Sequence, residues 1–169
     1  MVNRLGAVAR ASRATAVLRA AGVVHTVHAY DHDQRTTAWG EEAVSALCPR
    51  LGVDPEQVLK TLILMVEGAP AVAVLGVRRQ VDPKAVAAAL GGRRAELAKP
   101  EVAEKVTGYV LGGVSPLGQR RMLPTVVDTA ALEHQVVLCS AGQRGLEIEL
   151  DPAELVRLSS AVTAAISRG

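Results

Sequence analysis

Phenylalanine is absent from this 169-residue chain, and aromatic side chains of all kinds amount to 2%. The core must therefore be built from Val, Leu, Ala and Ile, which the 49% hydrophobic fraction supplies amply. The same scarcity leaves few rings on which nucleobases could stack. Cysteine is nearly as sparse. Cys48 and Cys139 stand far apart with no second thiol near either, which excludes a zinc ribbon and a Cys-x-x-Cys redox pair. Two isolated thiols without a disulfide framework fit a reducing cytoplasm. No apolar run approaches the ~20 residues that span a bilayer, so no membrane partner is expected. Met1 to Arg19 carries scattered arginines and no apolar stretch of the kind a signal peptide needs. A surplus of one charge is also lacking: the net +2 is too small to argue for nucleic acid. Its distribution says slightly more. Arg78-Arg79, Arg93-Arg94 and Arg120-Arg121 are adjacent pairs. Guanidinium forks suit phosphate, and solvated surface positions account for such pairs too.

The length fits one domain at roughly 100–200 residues each, with no repeat and no Pro-, Gly- or Ser-rich linker inside it. Ser12 to Ala21 reads as a helix capped by Ser12 and stopped at Gly22. Val23 to Tyr30 reads as a strand, and Asp31 to Thr37 as a polar loop. Thr37 is placed to cap a helix that runs through Val44 and Leu47 and halts before Pro49. Asp54-Pro55-Glu56 opens a further helical turn. Thr61 to Val66 and Ala71 to Leu75 flank Glu67-Gly68-Ala69-Pro70, which predicts a hairpin. Asp82-Pro83 starts an alanine-rich helix that ends at Gly91-Gly92, and Lys99 to Lys105 is helical. Thr125 to Asp128, Gln135 to Cys139 and Leu146 to Leu150 read as later strands, and Asp151-Pro152 starts a last helix. Short strands interspersed with helices predict an α+β domain.

Two stretches carry chemistry. Gly112-Gly113-Val114-Ser115-Pro116-Leu117-Gly118 holds three glycines and a proline in seven residues. Glycine lets the main chain approach a ligand and present bare N–H groups, and proline fixes the bend. A tight turn between strands is the plainer reading. Lys60-Thr61 stands at the mouth of the apolar run Leu62 to Val66. An amine beside a core strand costs free energy unless an anion or a strongly polar group meets it. A cation facing an amide-rich loop would cradle a carbonyl, a ribose or a phosphate. Other chemistries find less support. No Gly-x-Ser-x-Gly elbow surrounds Ser115. His25, His28 and His32 cluster with Asp31 and Asp33, but His25 and His28 fall on opposite faces of a strand and do not converge on a metal. No metal and no cofactor is expected.

In this order the chain carries His28-Ala29-Tyr30-Asp31-His32-Asp33, Val58-Leu59-Lys60-Thr61-Leu62, Thr107-Gly108-Tyr109, Gly112 to Gly118, Arg121-Met122-Leu123-Pro124-Thr125, and Arg144-Gly145-Leu146-Glu147-Ile148-Glu149-Leu150. The series resembles the YbaK/EbsC family, free-standing editing proteins that deacylate mischarged tRNA and are similar to the editing domain inserted in bacterial prolyl-tRNA synthetase. The resemblance covers roughly residues 12 to 160. It implies a single editing domain over residues 12–169, with residues 1–11 as a tail. The implied fold is a mixed, barrel-like sheet flanked by helices.

The family's essential lysine maps onto Lys60, and its Gly-x-x-x-Pro signature onto Gly112 and Pro116, with Gly113 between them. Tyr30, Thr61, Ser115 and Glu147 are then expected to contact substrate. Glu147 is a departure: the best-known members carry aspartate there, one methylene shorter. The resemblance implies removal of cysteine from Cys-tRNA(Pro), with the substrate's own thiol attacking its ester. The acceptor end of tRNA-Pro and prolyl-tRNA synthetase are the expected partners. Removal of alanine from the same tRNA, or a catalytically silent tRNA- or synthetase-binding module, are the alternatives.

Overall fold

The hairpin expected near residue 67 is the centre of the architecture. In the computed structural model, which describes residues 12–169, β2 (Leu59–Val66) and β3 (Ala69–Gly76) pair antiparallel along their whole length. Their turn is only Glu67-Gly68, both at positive φ, the mirror-image geometry that suits a two-residue hairpin. Pro70 therefore lies in β3, opposite Met65. It precedes Val72, where β3 begins to pair with β6 (Thr125–Asp128), so its missing N–H breaks no ladder to that neighbour.

With β5 (Ala95–Leu97) and β9 (Val162–Ala164) these strands make a five-stranded sheet in the order β5-β2-β3-β6-β9. The last two pairings are parallel. A second sheet has the order β1 (Thr26–Ala29), β8 (Leu146–Leu150), β7 (Val137–Gln143), all antiparallel. One parallel bridge, Val58 to Leu138, joins the two sheets. β4 (Gln80–Val81) pairs with β10 (Ser167–Arg168) as a separate ribbon. The sheets wrap about the core without closing into a barrel.

Alternation along β2 and β3 divides that core. Leu59, Ile63, Val72 and Val74 face the larger cluster, which includes Leu18, Val137, Cys139, Ile148 and Leu155. Leu64, Ala73 and Leu75 face the other way, onto Val86, Val126 and Ile166. A smaller cluster of Ala43, Val44, Cys48 and Val58 lies under Tyr30.

Helices begin largely where capping chemistry places them. Ser12, Asp82 and Asp151 accept from first-turn amides of α1 (Arg13–Ala20), α3 (Pro83–Ala89) and α5 (Pro152–Ser159). α4 spans Pro100–Thr107 and ends at Gly108 in the left-handed conformation. α2 differs from expectation at both ends. It spans Trp39–Leu51, and Ala38 rather than Thr37 stands at its N-cap, with no side-chain cap bond. Pro49 does not stop it. Pro49 lies in the last turn, and the stop comes at Gly52, in the left-handed conformation, whose N–H donates to the Cys48 carbonyl at 2.9 Å. β1 is shorter than the predicted Val23 to Tyr30, because Val23 N–H still bonds back to the Leu18 carbonyl of the preceding helix. The expected tail, residues 1–11, lies outside the described residues.

Candidate active site

β5 pairs only with Leu64 to Val66 of β2. The Leu59 to Leu62 half of that edge therefore has no β5 neighbour, and a cavity of about 340 Å³ opens beside it. Its walls come from distant parts of the chain: Lys60 and Thr61 on β2, Gly112 in the glycine loop, Ser140 on β7, Glu147 on β8, and Trp39 at the start of α2. The remaining lining is mostly apolar and includes Leu59, Leu62, Val77, Leu111 and Val114.

Lys60 is half-buried. Its Nζ donates to the main-chain carbonyl of Arg79 at 2.6 Å, and burial holds its pKa below the usual lysine value. The residue that bears this carbonyl is tied down through its side chain. The Arg79 guanidinium donates to Glu56 Oε2 at 2.8 Å and to Ser167 Oγ at 3.3 Å. Ser167 Oγ donates to Asp128 Oδ2 at 2.5 Å. Glu147 is shielded from solvent more fully than Lys60. It is buried in the middle of a cross-strand row with His28 on β1 and Ser140 on β7. Burial raises its pKa to about 8, so the carboxyl is mostly protonated at neutral pH.

The glycine loop is shaped by close approach. Gly112 has φ +80, and a β-carbon there would fall 2.5 Å from Cδ2 of Trp39. The Arg144 guanidinium also lies over that ring, 4.8 Å from its centroid. Arg144 Nε donates to the Leu111 carbonyl at 2.8 Å, which ties the β7–β8 turn to the loop. A β-carbon on Gly113 would lie 3.1 Å from the backbone of Gln143 and Arg144. The Gly113 N–H is engaged within the loop, donating to the Val110 carbonyl at 2.9 Å.

The other expected site residues stand outside the lining. Ser115 is fully buried, and its Oγ accepts from the Leu117 N–H at 3.2 Å. Pro116 lines a separate cavity of about 180 Å³ with Val17, Leu158 and Met122. Tyr30 packs on the cluster beside Cys48. Its phenol is pushed well above the ordinary tyrosine pKa, first by burial and then by the nearby Glu147 carboxyl. The three histidines are each engaged separately: His25 with the Val23 carbonyl, His28 with Glu149 and His32 with Glu42. Of the arginine pairs, Arg78 and Arg79 are taken up by Glu41 and Glu56, whereas Arg120 and Arg121 are exposed just beyond Gly118.

Trp39 and Ser140 escaped the sequence reading. Trp39 had one available signal, as the sole tryptophan in a chain nearly devoid of aromatics. Ser140 had none, since its place depends on the pairing of β7 with β8.

Residues 40–158 match the family model for the aminoacyl-tRNA editing domain. A candidate Cys-tRNA(Pro)/Cys-tRNA(Cys) deacylase, EbsC of Enterococcus faecalis, is 32% identical over 143 residues, covering 83% of this chain and 87% of that protein. The proline–tRNA ligase of Maridesulfovibrio salexigens is 30% identical over 79 residues, 47% of this chain but only 14% of the ligase. A crystal structure of a candidate trans-editing enzyme for prolyl-tRNA synthetase superposes with a TM-score of 0.80 at 25% identity, covering 95% of this chain and 97% of that one. The chain belongs to the aminoacyl-tRNA editing domain family, the deacylases that cleave the ester between an amino acid and its tRNA.

Proposed function

We propose that the protein is a trans-editing deacylase that removes cysteine from Cys-tRNA(Pro) in the cytoplasm. The observation that carries this reading is the convergence of Lys60, Thr61, Gly112 and Glu147 on one cavity. Cysteine and proline are close in size, and a synthetase pocket separates such neighbours by only about 1–3 kcal/mol. A second sieve is then useful. In the proposed step the substrate's Sγ bonds to its own ester carbonyl carbon, the ester C–O bond breaks, and the thiol proton ends on the departing ribose oxygen. The products are a cyclic thiolactone and a free tRNA. Such a reaction asks the protein mainly for orientation. The Lys60 ammonium serves as a point charge toward the ribose or phosphate of the acceptor end. The glycine loop brings main chain close to the ester at Gly112, backed by Gly113, Ser115 and Pro116. Glu147 and Thr61 complete the wall, and Tyr30 supports Glu147 from behind.

The acceptor end of tRNA-Pro and prolyl-tRNA synthetase are the proposed partners, with the synthetase supplying the choice of tRNA. The test is deacylation of purified tRNA-Pro charged with cysteine, alanine or serine. Faster loss of cysteine supports the reading. Preferred loss of alanine assigns the protein to alanine editing, and no turnover of any substrate leaves a binding module.

A further inference from the structure

Among the described residues, three buried polar side-chain atoms lack a hydrogen-bond partner: Trp39 Nε1, Thr61 Oγ1 and Glu147 Oε2. All three residues line the same cavity. A buried donor or acceptor left without a partner is destabilising, and folded chains leave few of them. Their gathering at one place points to a ligand that completes them. The kinds of group are informative. An indole N–H only donates, a threonine hydroxyl donates or accepts, and a protonated carboxyl does both. Leu59, Leu62, Val77, Leu111 and Val114 supply an otherwise apolar wall. That combination fits a small side chain with an apolar body and one polar tip. Trp39 is also held by its neighbours: the Arg144 guanidinium lies over the ring, and the bare α-carbon of Gly112 approaches it closely.

We propose that Trp39 determines specificity: its indole N–H, together with Thr61 and Glu147, reads the heteroatom at the tip of the aminoacyl side chain, a thiol or a hydroxyl. This inference rests on the deacylase reading above. It assigns part of the selection to binding, in addition to the chemical requirement for a thiol. Serine is bound by this wall although its hydroxyl does not turn over. An alkyl side chain of the same size is rejected, because it leaves the buried groups unpaired.

The test uses non-cleavable 3′-aminoacylamino-3′-deoxyadenosines carrying cysteine, serine, alanine or 2-aminobutyrate, with dissociation constants measured by calorimetry. The 2-aminobutyrate compound matches the cysteine one in shape and lacks only the heteroatom. The expected result is tighter binding of the cysteine and serine compounds than of 2-aminobutyrate by ~10-fold or more. In Trp39→Phe that ratio falls toward one while 2-aminobutyrate binding is retained. Thr61→Val, which preserves shape, moves the ratio the same way and serves if Trp39→Phe does not fold. Equal binding of all four compounds by the wild type, or binding of none, overturns the inference. So does an equal loss for all four in both variants, which would place these groups on a part common to every aminoacyl ester. Deacylation of Cys-tRNA(Pro) is measured alongside. If it proceeds while the ratios are flat, this inference alone fails; if no charged tRNA is deacylated, the functional reading fails first.

Discussion

The ring of Trp39 occupies the space that a β-carbon at Gly112 would need, 2.5 Å from the ring atom Cδ2. Gly112 also has φ +80, so alanine there meets two obstacles at once. The backbone alone costs roughly 1 kcal/mol, and the indole must move. Gly112→Ala is expected to lower turnover more than stability. Because Trp39 is the only tryptophan, its fluorescence reports the displacement directly. Full activity with an unchanged emission spectrum would show that this approach has no role in the site.

Lys60→Ala is expected to reduce deacylation by ~10²-fold or more, in line with the loss of one well-placed charge-stabilising donor. The Arg79 carbonyl loses a donor at the same time, so a stability loss of about 1 kcal/mol should accompany it. Chemical denaturation separates the two effects. Near wild-type turnover in the folded variant would remove Lys60 from the mechanism.

Neither protein thiol is placed for nucleophilic attack. Cys139 is fully buried on β7, and burial pushes its thiol far above the ordinary pKa. Cys48 is buried in α2 and also raised. The Cys48→Ala, Cys139→Ala double variant should keep most of its turnover per folded molecule. Cys139→Ser should instead lose stability, because it buries a hydroxyl among apolar neighbours. Abolished turnover in a well-folded Cys139→Ala protein would point to protein-thiol catalysis.

Glu147 makes stability depend on pH. Its folded pKa of about 8 lies above the ordinary carboxyl value of 4.5. Between those values the folded state keeps a proton that the unfolded chain has released, so stability falls as pH rises from 4.5 toward 8 and then levels off. Glu147→Gln, which stays neutral, should flatten this slope. The variant should be close to wild type near pH 4.5 and gain relative stability by pH 8, by on the order of a few kcal/mol. Urea denaturation at several pH values reads this out. Parallel curves for the two proteins would mean that the carboxyl is already ionised in the fold.

How much of this could be read from the chain depends on what each residue's position rests on. Lys60, Thr61, Gly112 and Glu147 belong to short motifs whose local patterns survive folding, and they reach the cavity. Ser115 and Pro116 belong to an equally legible motif, yet they face inward. A tight loop must bury one side in order to present the other, and spacing does not say which. Helix starts were legible where an Asp-Pro or a serine cap marks them. The end of α2 was not, because proline in a last turn forfeits little, and a left-handed glycine three residues later makes the better stop. The small strands β4, β5, β9 and β10 carry no period of their own. They exist through their partners, and so does the wall formed by Trp39 and Ser140.

The tie between Ser167 and Arg79 couples the wall of the cavity to a residue that does not itself line it. Glu147, the last residue of the chain to line the cavity, precedes Ser167 by 20 positions. A chain cut between the two keeps every lining residue of the cavity, while the guanidinium of Arg79 keeps Glu56 as a hold and loses its serine. The residue whose carbonyl steadies the Lys60 ammonium would then lose one of its side-chain anchors in a chain that still holds the whole lining.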